Sequence, residues 1–140
     1  MTTGPESEYY QLEVGHEFPP ASYRMAATMV SAYRRAVGED SQLYRETTLV
    51  PPTAVAAYAM TALSKSISVP PGTIHVSQEL EFQQAVSVGD TITCRAKVGR
   101  KLNRGGLNLM TVELSVTNQD QQAVMAGKTS FVLPADAGGH

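Results

Sequence analysis

The chain has 140 residues, which suits one domain with one core. Apolar residues make up 42%, with no tryptophan and three phenylalanines, so the interior is mostly aliphatic. Charged residues are only 17%, below the usual quarter or so, which leaves surface for an oligomer interface. A net charge of −2 without long runs of one sign argues against nucleic acid and against an anionic membrane surface as partners. A single cysteine, Cys94, excludes an intrachain disulfide, and its strand-like surroundings suit a buried inert thiol better than a nucleophile. His16, His75 and His140 are scattered and make no metal-ligand spacing, so no metal is expected. No apolar run approaches the ~20 residues of a spanning helix. The polar, acidic start is unlike a secretory signal, so a cytoplasmic location is expected.

In chain order, residues 1–8 and 134–140 read as mobile ends around one domain over 9–133. Residues 9–24, with Gly15 and Pro19-Pro20, read as an irregular lead-in, with a strand near Gln11 to Val14. From Ala26 the pattern is helical: Ala26, Met29, Val30, Tyr33 and Val37 share one face. Arg34 and Arg35 oppose the dipole near its C-terminus, and Gly38 is a typical stop. The turn that follows, Gly38-Glu39-Asp40-Ser41-Gln42-Leu43-Tyr44, carries a carboxylate and a phenol, Glu39 and Tyr44, five positions apart, a spacing that lets a turn present both to one substrate.

A second helix is expected from Pro51-Pro52 to about Ser64, with Thr53 as its cap or the prolines in its first turn. Small side chains lie almost all round it, which predicts a buried helix that a sheet can approach closely. The second half alternates as strands. Ile74, Val76, Leu80 and Phe82 form one apolar set, and Ile92, Cys94, Ala96 and Val98 another. Met110, Val112, Leu114 and Val116 follow, and then Ala123 to Leu133. Turns at Val88-Gly89-Asp90, Asn103-Arg104-Gly105-Gly106 and Asn118-Gln119-Asp120-Gln121 suggest a four-stranded antiparallel meander. Its apolar face needs a cover, and the alanine-rich helix supplies one. The expected fold is α+β: a curved antiparallel sheet wrapped around a buried helix, the hotdog architecture.

Three blocks carry a resemblance to the MaoC-like hotdog dehydratases and hydratases, over roughly residues 10–133. The helix end and turn, Tyr33 through Tyr44, are similar to the family turn Gly-Asp-x-Asn-Pro-Leu/Ile-His. Val50-Pro51-Pro52-Thr53 leads into the small-residue helix. His75-Val76-Ser77-Gln78-Glu79-Leu80-Glu81-Phe82 and Ala85 through Ile92 resemble the family's strand and Gly-Asp turn. The family acts on 3-hydroxyacyl and 2-enoyl thioesters of coenzyme A or acyl carrier protein, with no other cofactor. It uses an aspartate and a histidine of the turn to orient water and move its protons. Position by position, the aspartate becomes Glu39, the asparagine Ser41 and the histidine Tyr44. The carboxylate survives one methylene longer. The base does not, since tyrosine titrates near ~10 and histidine near ~6.5. The turn therefore resembles the branch whose subunits keep the fold, lack the acid–histidine pair and accompany a catalytic subunit.

Other candidate residues each have a plain structural alternative. Backbone N–H groups at Thr53 and Ala54 would face a thioester carbonyl, or simply start a helix. His75 would face substrate or a partner, or be a hydrogen-bonded structural residue. Lys97, Arg100, Lys101 and Arg104 would meet the phosphates of coenzyme A or an acidic carrier protein, or be a solvated turn. Glu39 and Tyr44 themselves would be a modified site, or a helix-end acid and a packing tyrosine. The expectation is a hydro-lyase-type protein acting on or binding acyl thioesters. Its alternatives are a non-catalytic subunit and a thioesterase using Glu39 alone. A homodimer or a heterodimer with another hotdog chain is expected, because one such sheet leaves an open edge.

Overall fold

The computed structural model describes residues 7–8, 12–38, 49–69 and 71–134. The turn carrying Glu39, Ser41 and Tyr44 lies outside them. Helix α1 spans Ala27–Val37, and Gly38 closes it at φ 73°, with its N–H turned back to the carbonyls of Arg34 and Arg35. A left-handed residue at a helix end is where glycine costs least. Val30 is buried, whereas Met29 is 37% exposed, so the apolar face is narrower than its spacing suggests.

Helix α2 spans Pro52–Ser64. Pro51 precedes it in an extended conformation and Pro52 occupies its first turn, where the missing N–H costs nothing. The N-cap is Pro51 rather than Thr53, and it makes no side-chain capping bond. Ala54, Val55, Ala59, Ala62 and Leu63 are buried. Thr53, Ala57, Thr61 and Ser64 form an exposed stripe, so the helix is covered on one side only. Small residues all round are compatible with burial but do not enforce it.

Strands β1 (Ser7–Glu8) and β3 (Ile67–Ser68) form a short parallel pair, so the stretch expected to be a mobile end includes a strand. The main sheet contains β2 (Ala21–Arg24), β4 (Ile74–Phe82), β5 (Thr91–Arg104), β6 (Leu107–Thr117) and β7 (Ala123–Leu133). Its order is β2-β5-β6-β7-β4, and every pairing is antiparallel. Two expectations need correction. The lead-in strand is Ala21–Arg24, paired with β5, rather than Gln11 to Val14. The four long strands are also not a simple meander, because β4 pairs with β7 at the far edge. The reason lies in the connection after β4. Val86 is buried, the Val50 N–H donates to its carbonyl and Leu49 bridges Ser87, so residues 83–90 are anchored near α2 rather than folded into a hairpin.

Register fixes the two faces of the sheet. Cys94, Val116 and Met125 lie in one row, Ala96, Leu114 and Gly127 in the next, and Val98, Val112 and Thr129 in a third. These residues face α2, which packs on β5 and β6, and most of them are buried in one core with Val55, Ala59 and Leu63. The opposite face carries Lys97, Glu113, Lys128 and Glu79 in one cross-strand row. A helix laid on the inner face of an antiparallel sheet is the hotdog arrangement. Cys94 is 4% exposed, and burial pushes its thiol up to about 11, in keeping with an inert core residue.

Candidate active site at the start of the central helix

Where α2 begins, the sheet and the residues before the helix leave a cavity of about 360 Å³. Leu49, Val50, Pro52 and Val55 form one wall, and Phe82, Gln83, Gln84, Ala85, Val86 and Val124 the other. The helix supplies Pro52 and Val55 because they stand three residues apart on one face. The Gln83 N–H donates to the Val124 carbonyl, and the Gln84 amide donates to Gln122, so both wall amides are already engaged. No titratable side chain lines this cavity among the described residues. It is an apolar slot of the size small-molecule sites adopt, near a helix N-terminus. Leu49, the first described residue after 39–48, belongs to its wall.

The sequence candidates separate in space. Ala54 lies at the helix start, but its N–H donates to the Pro51 carbonyl at 2.9 Å and so is not the free donor expected. Pro51 and Pro52 have no N–H, so Thr53 is the first residue of the helix that carries one. His75 lies at the opposite end of β4 from the cavity wall residue Phe82. Its Nε2 pairs with Thr129 Oγ1 at 2.5 Å, and its ring stacks on Phe131 with centroids 5.1 Å apart. Thr129 is fully buried and sends its hydroxyl toward the Ser77 carbonyl at 3.4 Å, which leaves its oxygen able to accept from Nε2. Thr129 was invisible to the sequence reading as a site residue. A threonine on the apolar face of an alternating strand was the available signal.

The four cations of the β5–β6 hairpin do not face one way. Lys97 pairs with Glu113 across the outer face at 3.7 Å. Arg100 and Arg104 share that face, opposite Thr111 and Leu107. Lys101 faces the helix side and donates to the Leu12 carbonyl at 2.9 Å. The hairpin tip also lies at the far end of the sheet. Counting along β5 from Cys94 to Asn103 at ~3.3 Å per residue gives roughly 30 Å. Within one protomer, then, Arg100, Lys101 and Arg104 are not beside the helix start.

The family comparison decides what this architecture belongs to. Residues 13–127 match the family model of the FAS1-like dehydratase domain region. The chain belongs to that family. The match spans most of the lead-in, both helices and the long strands up to the first five residues of β7. Solved structures agree on the fold. The (R)-hydratase PhaJ1 of Pseudomonas aeruginosa superposes with a TM-score of 0.76 at 23% identity, covering 91% of this chain and 85% of that one. The MaoC-like dehydratase of Rhodospirillum rubrum gives 0.71 at 20% identity, covering 91% and 96%. A chain of the HadBC 3R-hydroxyacyl-ACP dehydratase complex of Mycobacterium tuberculosis gives 0.65 at 21% identity, covering 85% and 96%. No curated protein matches the chain. Membership accounts for the order of the elements. Among the described residues no three metal-ligating side chains gather there or elsewhere. No described helix is long and apolar enough to cross a membrane.

Proposed function

We propose that this hydratase/dehydratase-type hotdog protein binds 3-hydroxyacyl or 2-enoyl thioesters, carried by coenzyme A or acyl carrier protein, in the cavity at the start of α2. The observation that carries this reading is the cavity itself: apolar walls from Val50, Val55, Phe82, Val86 and Val124 beside the start of a helix. An acyl chain buries favourably against such walls, at roughly 0.8 kcal/mol per CH₂. Glu39 and Tyr44 precede the cavity-wall residue Leu49 in sequence, and this reading assigns Glu39 as the carboxylate for proton transfer, with Tyr44 as hydrogen-bond donor. Hydration of enoyl-coenzyme A thioesters, followed at the enoyl absorbance over several chain lengths, tests the assignment. Turnover should fall on the order of 10²–10⁴-fold in Glu39→Gln. Equal rates for wild type and variant would remove Glu39 from the chemistry.

A second reading is favoured by one specific feature, the absence of any titratable side chain in the cavity's described walls. In that reading the chain binds the acyl group or steadies a catalytic hotdog partner. The HadBC complex is such an assembly of two hotdog chains. Co-purification with a second hotdog chain bearing the intact Asp…His turn, together with hydration only in the complex, would establish it. A self-sufficient active homodimer would exclude it. The protein is assigned as a dimer in either case.

A further inference from the structure

The walls of the cavity at the start of α2 hold few hydrogen-bonding side chains. Among its lining residues only Gln83 and Gln84 carry one. A hydroxyl group brought into such a slot gives up water, which costs free energy unless an acceptor replaces it. Gln83 is tied to Val124 through its backbone N–H, so its side-chain amide can turn either end to a ligand. Gln84 cannot, because the β6–β7 turn orients it.

The orientation starts at Asn118, which is 6% exposed. Its Oδ1 accepts the backbone N–H of Asp120 at 2.9 Å and that of Gln122 at 3.0 Å. A backbone N–H can only donate, so these two bonds fix which end of the Asn118 amide is oxygen. The other end, Nδ2, therefore donates, and Gln122 Oε1 accepts it at 3.0 Å. The same Oε1 accepts from Gln84 Nε2 at 3.0 Å. A polarity set by two backbone groups thus passes along a relay of side-chain amides, and it leaves Gln84 with its oxygen to offer. Among the described residues nothing donates to that oxygen. The relay is held stiffly. The Asn118 N–H donates to the Gln122 carbonyl, the Gln121 N–H donates to the Asn118 carbonyl, and Gln121 takes φ 64° to close the turn. Gln119 of the same turn donates to Asp90 Oδ1 at 3.1 Å, and Asp90 Oδ2 accepts the Ser87 N–H at 2.9 Å. The wall segment 84–90 is therefore tied to the turn at both ends.

We propose that Gln84 is a specificity-determining residue of the cavity, accepting at Oε1 a hydrogen bond from the 3-hydroxyl of a bound acyl thioester, with Gln122 and Asn118 as the residues that position it. The inference rests on the reading of the cavity as an acyl-thioester site and names the form of the acyl group that the site prefers. A fixed oxygen acceptor separates the candidate ligands by their chemistry. A 3-hydroxyacyl group brings a donor. A 2-enoyl or saturated acyl group brings none at that carbon and leaves the Gln84 oxygen to water. The preference is for the hydroxylated form, and its source is the β6–β7 turn, outside the cavity walls.

Titration calorimetry with hexanoyl-coenzyme A and 3-hydroxyhexanoyl-coenzyme A reads this directly, since the two ligands differ only in the hydroxyl. Every protein in the series carries Glu39→Gln, so that the hydroxylated ligand is not turned over during the titration. With Gln84 in place, the hydroxylated ligand should bind about tenfold more tightly, the worth of one such hydrogen bond. Gln84→Met keeps the side-chain length and removes the acceptor. It should bind both ligands alike, with the affinity that hexanoyl-coenzyme A has for the parent. Gln122→Met cuts the relay one amide earlier. It should lower the preference about threefold, while hexanoyl-coenzyme A binding and the denaturation midpoint stay as they were. A preference that is absent from the parent, or that persists in Gln84→Met, would overturn the role of Gln84 and leave the acyl site standing. An unchanged preference in Gln122→Met would overturn the relay. Weakened binding of hexanoyl-coenzyme A to Gln84→Met would make Gln84 a structural residue and overturn its selective role. Binding of neither ligand to the parent would remove the acyl-thioester reading of the cavity, and this inference with it.

Discussion

At one edge of the sheet β2 is four residues long and closed off, and at the other β4 is nine residues long and open. The Ser22 and Thr93 hydroxyls bond at 2.9 Å across the β2–β5 pair. Tyr23 packs on Tyr58 of α2 with ring centroids 4.9 Å apart. Burial raises the Tyr23 hydroxyl above its ordinary range, and the neighbouring Cys94 and Tyr58 add to the shift. Glu17 continues the line through a bridge to Lys97. β4 has no such cover, and α2 packs on β5 and β6 rather than beneath it. A short edge under a helix ends a sheet. A long edge beyond the helix invites another strand. Phe82, at the end of that second edge, also lines the cavity at the start of α2.

The largest expected effect falls where β4 meets β7. A Cβ on Gly127 would run into the Glu79 carbonyl oxygen and the Leu80 side chain. Gly127→Ala should therefore cost about 3 kcal/mol in chemical denaturation and loosen β4 first in hydrogen exchange. Gly99→Ala, away from this edge, meets only the side chain of Glu113, which can swing aside, and should cost much less.

Next comes the buried thiol next to the closed edge. Cys94 is held at about 11 in the fold against an ordinary 9.0. A raised pKa in an acid that ionises to an anion means that the unfolded chain gives up its proton first. The stabilisation is fully present below pH ~9 and is lost as pH rises toward 11, by about 2 kcal/mol in all. Denaturation midpoints of wild type should fall over that window, and those of Cys94→Ala should fall less.

Thr129→Val should cost about 1 kcal/mol, since it leaves the His75 Nε2–H to find water while keeping the core volume. Its signature is a faster imidazole ring exchange by NMR, confined to β4. The smallest effect belongs to Lys97→Ala. Its ion pair with Glu113 spans 3.7 Å with both side chains about half exposed, so its loss should cost no more than ~0.5 kcal/mol in the same denaturation assay.

Much of the fold could be read from alternation and punctuation. The four long strands, the Gly38 stop and the proline-led start of α2 all lie where their residues suggest. Pairing order could not be read, because a strand's alternation marks its faces and not its neighbour. The β4–β7 pairing depends on Val86 being drawn into the core, a tertiary event. Neither was the half-exposure of α2 legible, since alanine is at home in water and in a core alike. The prolines placed Thr53 and Ala54 at the helix start, but the Ala54 to Pro51 bond is a detail of the turn. The wall from Phe82 to Val86 was hidden as an ordinary strand end. The basic hairpin looked like one cluster in sequence, and the bulge between Val98 and Arg100 with the length of β5 disperses it.

The account stands on the cavity at the start of α2 receiving the acyl chain. Ala85 is exposed on its rim, so Ala85→Trp should fold normally and fill the slot. Titration of wild type and Ala85→Trp with a series of enoyl-coenzyme A thioesters by calorimetry is the direct measurement. The account predicts saturable binding to wild type that tightens with chain length, and at least a tenfold loss in the variant. Equal binding by both proteins would contradict it.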